Sequence, residues 1–386
     1  MLKKSIEKMS SFIELIYVLF VSSYFIVLSI SGMGGTYSKL RYFILTIAIV
    51  ISGICLFLKK SSIKYKNMLL VIPLGIIFYL ISLFRAGEAH HALVFRTYVQ
   101  ISLIVLPALY AMLLLNLLNL KQITTILEFT LCFAILAYFF ESGHQIKDFL
   151  ILENWKTISF LHSNSFTESN LCSEIFLNLF LFFNFYKNNN FSGSNPKYLK
   201  LCYYLSFIFT ILSFKRLAVI FAILIMIISY FINLNCSIPK KYSCLFSIAF
   251  TLLTILYTEF MKGNLFSWID VYTFTSGRDY ILSLWKQLDY LSFGYGSSMV
   301  LIGRYLEMDL VQIYLELNLF AVFLFSWVYF RIAGNNLYSL IIMVYCFFNM
   351  LTASSLPGSL SWIIVFLTVK SISSRISNEH IDFDIN

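Results

Sequence analysis

The chain is a succession of apolar runs, each close to the length of a membrane-crossing helix and each ended by a short cluster of charged and turn residues. A spanning helix takes about 20 mostly apolar residues. Inside hydrocarbon every backbone polar group must be satisfied within the protein, so only helices or closed barrels cross. Candidate spans fall near 11–31, 42–58, 67–84, 97–118, 123–140, 171–186, 198–214, 217–234, 242–258, 308–330, 337–353 and 360–370. The first run is too long for the apolar core of a typical signal peptide and reads as a span. The expected fold is all-α: a polytopic integral membrane helical bundle with about twelve transmembrane helices, forming one transmembrane domain over residues 1–386.

Composition agrees. With 59% hydrophobic and 12% charged residues and a mean hydropathy of +0.81, the chain lies far from any water-soluble domain. Its formal charge of +9 comes from small basic clusters between the apolar runs, the pattern of topology signals; a nucleic-acid partner is not expected. The seven cysteines include no CxxC pair, so neither a disulfide framework nor a zinc site is indicated. Without a Walker loop, a GxGxxG after a strand, a GxSxG or an HExxH, no cofactor and no metal are expected.

If the N-terminus is cytoplasmic, the inner loops collect 16 of the 28 basic residues, from Lys3, Lys4 and Lys8 to Lys370 and Arg375. The bias puts both termini inside. Arginine sorts the other way: Arg41, Arg85, Arg96, Arg216, Arg278 and Arg304 fall outside, and only Arg331 and Arg375 inside. A guanidinium holds phosphate with a planar fork and stays charged, whereas lysine is a hydrated point charge. An outer face that gathers arginine against the topology bias reads as built for an anion. Snorkelling of helix-end arginines to headgroups is the competing account, and it explains any one of them better than the set.

Two outer connections are long, about 141–170 and 259–307, and connections of that length are usually functional or disordered. The first holds His144 and His162 among Glu153 and Glu168; with His90 and His91 they could supply an acid or base, although the adjacent pair reads most simply as a solvated loop. The second holds Trp268, Trp285, Gly294 and Gly296. Its segment Tyr280-Ile281-Leu282-Ser283-Leu284-Trp285 suits an amphipathic helix lying on the membrane surface. Glu316 lies about two turns into its span, where a proton-coupled carrier would need such a group. The absence of an internal repeat weakens an inverted-repeat transporter.

Several segments together resemble one family. Ser276-Gly277-Arg278-Asp279, followed by Trp285 and Gly294-Tyr295-Gly296, resembles the large periplasmic loop of O-antigen polymerases (Wzy) and O-antigen ligases. Asp309 and Tyr314-Leu315-Glu316-Leu317-Asn318 are similar to the start of the next span in that superfamily. Ser213-Phe214-Lys215-Arg216-Leu217-Ala218 resembles its short serine-arginine turn, and the stretch from Phe166 to Asn170 its approach to an earlier span.

The resemblance implies a metal-independent membrane glycosyltransferase of the bacterial inner membrane, with its site on the periplasmic face. Its partners would be an undecaprenyl-diphosphate-linked oligosaccharide and membrane lipid, with a chain-length regulator and a flippase as associates. By analogy Arg216 and Arg278, with Lys215 and Arg304 nearby in sequence, would hold the diphosphate. Preorganised cations of this kind stabilise the charge that develops on the leaving group. Asp309, Asp279 and Glu307 are the acids nearest the arginine motifs and the candidates for the base; Trp285 and Tyr295 are candidates to stack on sugar. Where ligases place a catalytic histidine at the start of the span after the loop, this chain has Met308-Asp309, which favours repeat-unit polymerase over ligase. A lipid-linked oligosaccharide flippase, the third reading, predicts short outer loops and internal symmetry.

Reporter fusions after Lys121, Lys241 and Arg375 are expected to report cytoplasm, and fusions within 264–298 periplasm. A periplasmic C-terminal reporter overturns this topology.

Overall fold

The computed structural model describes residues 21, 40–59, 64–86, 90–142, 170–189, 195–213, 215–265, 268, 271–275, 277–287 and 294–383. The first expected span, apart from Val21, and most of the first long connection, with His144 and His162, lie outside these residues.

The described chain is all-helical, its one exception being an isolated antiparallel bridge between Ser237 and Asn336. The helices are α1 Leu40–Leu58, α2 Val71–Ala86 (after a 3-10 turn, Lys66–Leu70), α3 His90–Leu117, α4 Leu120–Ser142, α5 Asn170–Asn188, α6 Pro196–Leu212, α7 Arg216–Phe231 and α8 Lys241–Met261. Then come α9 Val271–Thr275, α10 Arg278–Lys286, α11 Ser297–Leu301, α12 Asp309–Glu316, α13 Leu319–Ala333, α14 Leu337–Thr352 and α15 Ser359–Phe383. Among the described residues, four helical stretches are long and apolar enough to cross a membrane: Lys66–Ala86, Val94–Leu117, Leu120–Phe139 and Lys241–Met261. Shorter apolar helices include Phe43–Leu58, Arg216–Phe231, Leu319–Ala333 and Leu337–Thr352.

The chain divides into two compact units. The first comprises Met1–Ile63, Leu113–Ile232 and Leu360–Thr368; the second Lys64–Met112, Asn233–Ser359 and Val369–Asn386. In the first, α5 is the axis: residues 173–186 are buried on every side, as befits a helix whose phenylalanines and leucines cover most of its circumference. Phe176 meets Phe209 of α6 with ring centroids 5.1 Å apart, and Tyr138 of α4 closes edge-on to Phe209 at 5.3 Å. Asn178, one of the buried polar residues of α5 with Ser173, Glu174 and Asn184, donates to Ser361 Oγ at 2.6 Å.

In the second unit α8, α12, α13 and α14 pack together. Ser247, Thr251, Thr254 and Thr258 of α8 turn their hydroxyls back onto carbonyls one turn earlier, at 2.6 to 2.7 Å. Small residues that satisfy themselves let helices approach closely in hydrocarbon. An aromatic chain runs from Phe250 of α8 through Phe330, Phe347 and Phe325 to Phe78 of α2 and ends edge-on at Tyr295, 5.6 Å from Phe78.

Two sequence expectations change. The run 308–330 is not one helix but two, α12 and α13, separated at Leu317 and Asn318. Asn318 is fully extended (φ 173°) and its side chain accepts the Ala321 N–H at 2.8 Å, an N-cap that starts a new helix instead of continuing the old one. The amphipathic segment 280–285 is helical, within α10, but its apolar side is covered by protein. Leu282 packs with Phe260, Met261, Met308 and Val311, and Ile281 and Trp285 with Leu306.

Candidate functional site

The resemblance motifs of the long loop lie in the second unit and converge on α12. Asp309, Gln312 and Glu316 follow helical spacing and share one face. All three are buried, with Glu316 at 0% exposure and Asp309 at 4%. A buried carboxylate persists only if hydrogen bonds replace its hydration, and both have such partners. Asp309 Oδ2 accepts the backbone N–H groups of Ser355 and Leu356 at 2.6 and 2.8 Å, and Oδ1 accepts Ser354 Oγ–H at 3.2 Å. Glu316 Oε2 accepts the Gly296 N–H at 2.7 Å and Gln312 Nε2–H at 3.0 Å, while Oε1 accepts the Ser298 N–H at 2.9 Å. Asp309 stands at the helix N-terminus, where the dipole favours it; Glu316 stands at the unfavourable end. There Arg85 brings its guanidinium onto the terminal carbonyls of Leu315 and Glu316, at 3.4 and 3.3 Å.

The Gly294-Tyr295-Gly296 turn is clamped from the other side. Its Tyr295 N–H donates to Ser82 Oγ of α2 at 3.0 Å, and Thr97 of α3 donates to the Tyr295 carbonyl at 2.8 Å. Both glycines have positive φ, +118° and +94°. A Cβ on Gly294 would lie 2.8 Å from Ser82 Cα, and one on Gly296 3.0 Å from Arg96 Cβ. Glycine is required twice over, by backbone conformation and by the close approach of α2 and α3.

At the start of α10, Gly277 adopts the left-handed conformation (φ 80°) that turns the chain into the helix. Thr275 Oγ1 lies 3.0 Å from Asp279 Oδ1 and accepts the Asp279 N–H at 3.4 Å. Arg278 folds back so that Nη1 donates to the Thr275 carbonyl at 3.1 Å, while its buried Nε meets no acceptor among the described residues. A guanidinium in this state keeps donors for an anion. Leu282, one turn further along, packs on Met308, next to Asp309.

The remaining predicted residues divide by exposure. Arg304 and Glu307 are exposed. Glu307 holds a left-handed backbone (φ 28°), unusual for a residue with a side chain, between the buried Leu306 and Met308. Trp285 and Tyr295 are instead interior: the indole is at 0% and the phenol at 1% exposure. Neither ring offers a face to a sugar, because each fills the core that seats α10 or the glycine turn. Burial, with the Asp309 and Glu316 charges acting in the same sense, holds the Tyr295 phenol well above the usual tyrosine range, so it stays neutral. Trp268, Tyr272 and Tyr280, 80%, 64% and 55% exposed, are loop aromatics on the surface; Tyr290 lies outside the described residues.

Arg216 and Lys215 belong to the first unit. Lys215 is the extended N-cap residue of α7 and Arg216, exposed, its first helical residue. Two cations at a helix N-terminus oppose the dipole, by about 0.3–1 kcal/mol each. The turn before them is held by Tyr138, whose hydroxyl donates to the Leu212 carbonyl at 3.1 Å. Arg278 belongs to the second unit.

Sequence reasoning did not find Ser82, Thr97, Gln312 or the 354–356 turn. Their partners are far away in sequence, and only the Gln312-Glu316 spacing of four leaves a trace there. Among the described residues no group of three or more His, Cys, Asp or Glu side chains is arranged to hold a metal. Protein-family models, curated proteins and solved structures give no match to this chain.

Two stability outcomes are expected. Gly294→Ala should lower the melting midpoint of detergent-purified protein more than Gly263→Ala, since Gly263 has positive φ but open space around it. Asp309→Ala removes the acceptor of the Ser355 and Leu356 N–H groups and leaves both unmet, a cost of about 1–3 kcal/mol each. It should melt well below both wild type and the exposed-site control Glu307→Gln; equal midpoints would show that the Asp309 contacts are dispensable.

Proposed function

We propose that this chain is a repeat-unit polymerase for a surface polysaccharide, of the O-antigen polymerase kind. It transfers the growing glycan from undecaprenyl diphosphate to the next lipid-linked unit at the periplasmic face of the inner membrane. In this reading the chain has about twelve spans, two long periplasmic loops and cytoplasmic termini. The main support is the joining, within one unit, of segments whose order in the sequence suggested the family. The α10 helix that begins Arg278-Asp279 packs on Met308, and the Gly294-Tyr295-Gly296 turn is bonded to Glu316 and hence to the helix that begins at Asp309.

The chemistry follows from these side chains. Cleaving a glycosyl-diphosphate bond places negative charge on the leaving diphosphate. Fixed guanidinium donors stabilise that charge as it develops. Arg278, with a buried Nε that has no acceptor among the described residues, and Arg216, at the head of α7, supply them; Lys215 and Arg304 add positive potential. The acceptor hydroxyl needs a base within hydrogen-bond reach. Asp309 holds the Ser355 and Leu356 N–H groups and the Ser354 hydroxyl, which positions the loop-to-helix junction, and with Asp279 and Glu307 it is a candidate for the base. Exposed Trp268 and Tyr272 are assigned the sugar-stacking role.

The test is fork geometry. Arg216→Lys and Arg278→Lys keep charge but lose bidentate contact. Each is expected to cut polymerisation about ten- to a hundred-fold, from a charge-assisted contact of roughly 1.5–3 kcal/mol realised in the transition state. The readout is polysaccharide ladder length at matched expression, with Arg331→Lys near normal. Full-length ladders from both variants overturn the diphosphate assignment.

A further inference from the structure

A separate site is built into the first unit, at the end of its helices away from the Ser213–Arg216 turn. The C-terminus of α5, the first half of α6 and the C-terminus of α7 line an open cavity of about 500 Å³. Its polar wall carries Asn184, Lys187, Asn188 and Ser229, and Met226 and Ile227 form an apolar one. The Lys187 ammonium sits 3.7 Å from the centroid of the Tyr203 ring and 5.5 Å from that of Tyr204. Such stacking orients an ammonium without consuming its three hydrogen-bond donors. Asn184 is fixed by donating to Ser229 Oγ at 3.2 Å and accepting from Asn188 at 3.4 Å. Lys200 adds a second positive charge that acts on Lys187.

Among the described residues that line the cavity there is no acidic side chain. The sequence contains no Asp or Glu anywhere from residue 175 through residue 258, so none of α6, α7 or the 189–195 connection supplies one. At the mouth, Tyr230 and Phe231 are 84% and 77% exposed, as aromatic side chains at a membrane-water boundary are. An oriented cation, neutral amide donors, an apolar wall and an aromatic rim match a phosphate group carried on an apolar tail. Basic pockets between helices near a cytoplasmic surface are suited to anionic lipid headgroups.

We propose that this cavity binds the phosphate group of an anionic ligand, with Lys187 as its charged contact and Asn188 as a neutral donor. The site is independent of the donor diphosphate chemistry above. The full-length protein, purified in detergent, is mixed with micelles containing phosphatidylglycerol or phosphatidylcholine, and retained lipid is counted by native mass spectrometry. Wild type should retain phosphatidylglycerol in preference to phosphatidylcholine. Lys187→Gln should weaken that retention about tenfold, as loss of one charge-assisted contact does, while Lys121→Gln should not. Met226→Trp fills the cavity without touching charge and should also abolish retention, which keeps the test valid if Lys187→Gln fails to fold. Added inorganic phosphate separates the sources: displacement of the lipid supports a site for the phosphate group itself, and persistence supports the lipid headgroup. Retention unchanged in both Lys187→Gln and Met226→Trp, or lost equally in Lys121→Gln, overturns the proposal.

Discussion

Two carboxylates on one eight-residue helix, both shut away from solvent, dictate how the second unit is assembled. Asp309 and Glu316 each accept two backbone N–H groups from remote turns. Each such bond to a charged group contributes roughly 1.5–3 kcal/mol, and leaving either group unmet would cost at least as much. The constraint therefore acts in both directions. The acids need the 296–298 and 354–356 segments in place, and those segments take their positions from the acids.

The other features of the site follow. For the Gly296 N–H to reach Glu316, the turn must sit against α2 and α3, and there Ser82 and Thr97 take up the polar groups of Tyr295. That closeness leaves no room for side chains at positions 294 and 296. With the turn fixed, Phe78 and Tyr295 join it to the aromatic core that runs to α8. Arg85 places Nη1 on the terminal carbonyls of α12. Arg278, by contrast, has part of its guanidinium uncommitted. Arg85 and Arg278 thus use Nη1 on different carbonyls, Arg85 at the end of α12 and Arg278 at Thr275.

The helical class was legible because bilayer-length apolar runs leave the backbone few alternatives, and most described helices begin and end within a few residues of the runs that predicted them. The break at Asn318 was not legible from hydropathy. Leu317, Leu319 and Phe320 are as apolar as a continuous span, and the cap depends on a side chain that a helix interior can also tolerate. The segment 280–285 was legible as an amphipathic helix, yet periodicity says only that one face is covered, not whether lipid or protein covers it. The same ambiguity assigned Trp285 and Tyr295 to sugar: an aromatic in an outer loop reads the same whether it faces substrate or core.

By itself the sequence determined an all-helical chain, and it marked Arg278, Gly294, Gly296, Asp309 and Glu316, since charge and glycine stand out against an apolar background. Only the tertiary structure decided what those positions do. It made Glu316 the anchor of the glycine turn and Asp309 the anchor of the 354–356 turn, and it set Arg85 to capping while leaving donors on Arg278. The reason is physical: hydropathy and helix propensity act over a few residues and can be read along the chain. The hydrogen bond that satisfies a buried charge is chosen by whichever donor the folded helices bring within 3 Å, and for Asp309 that donor lies about 45 residues away.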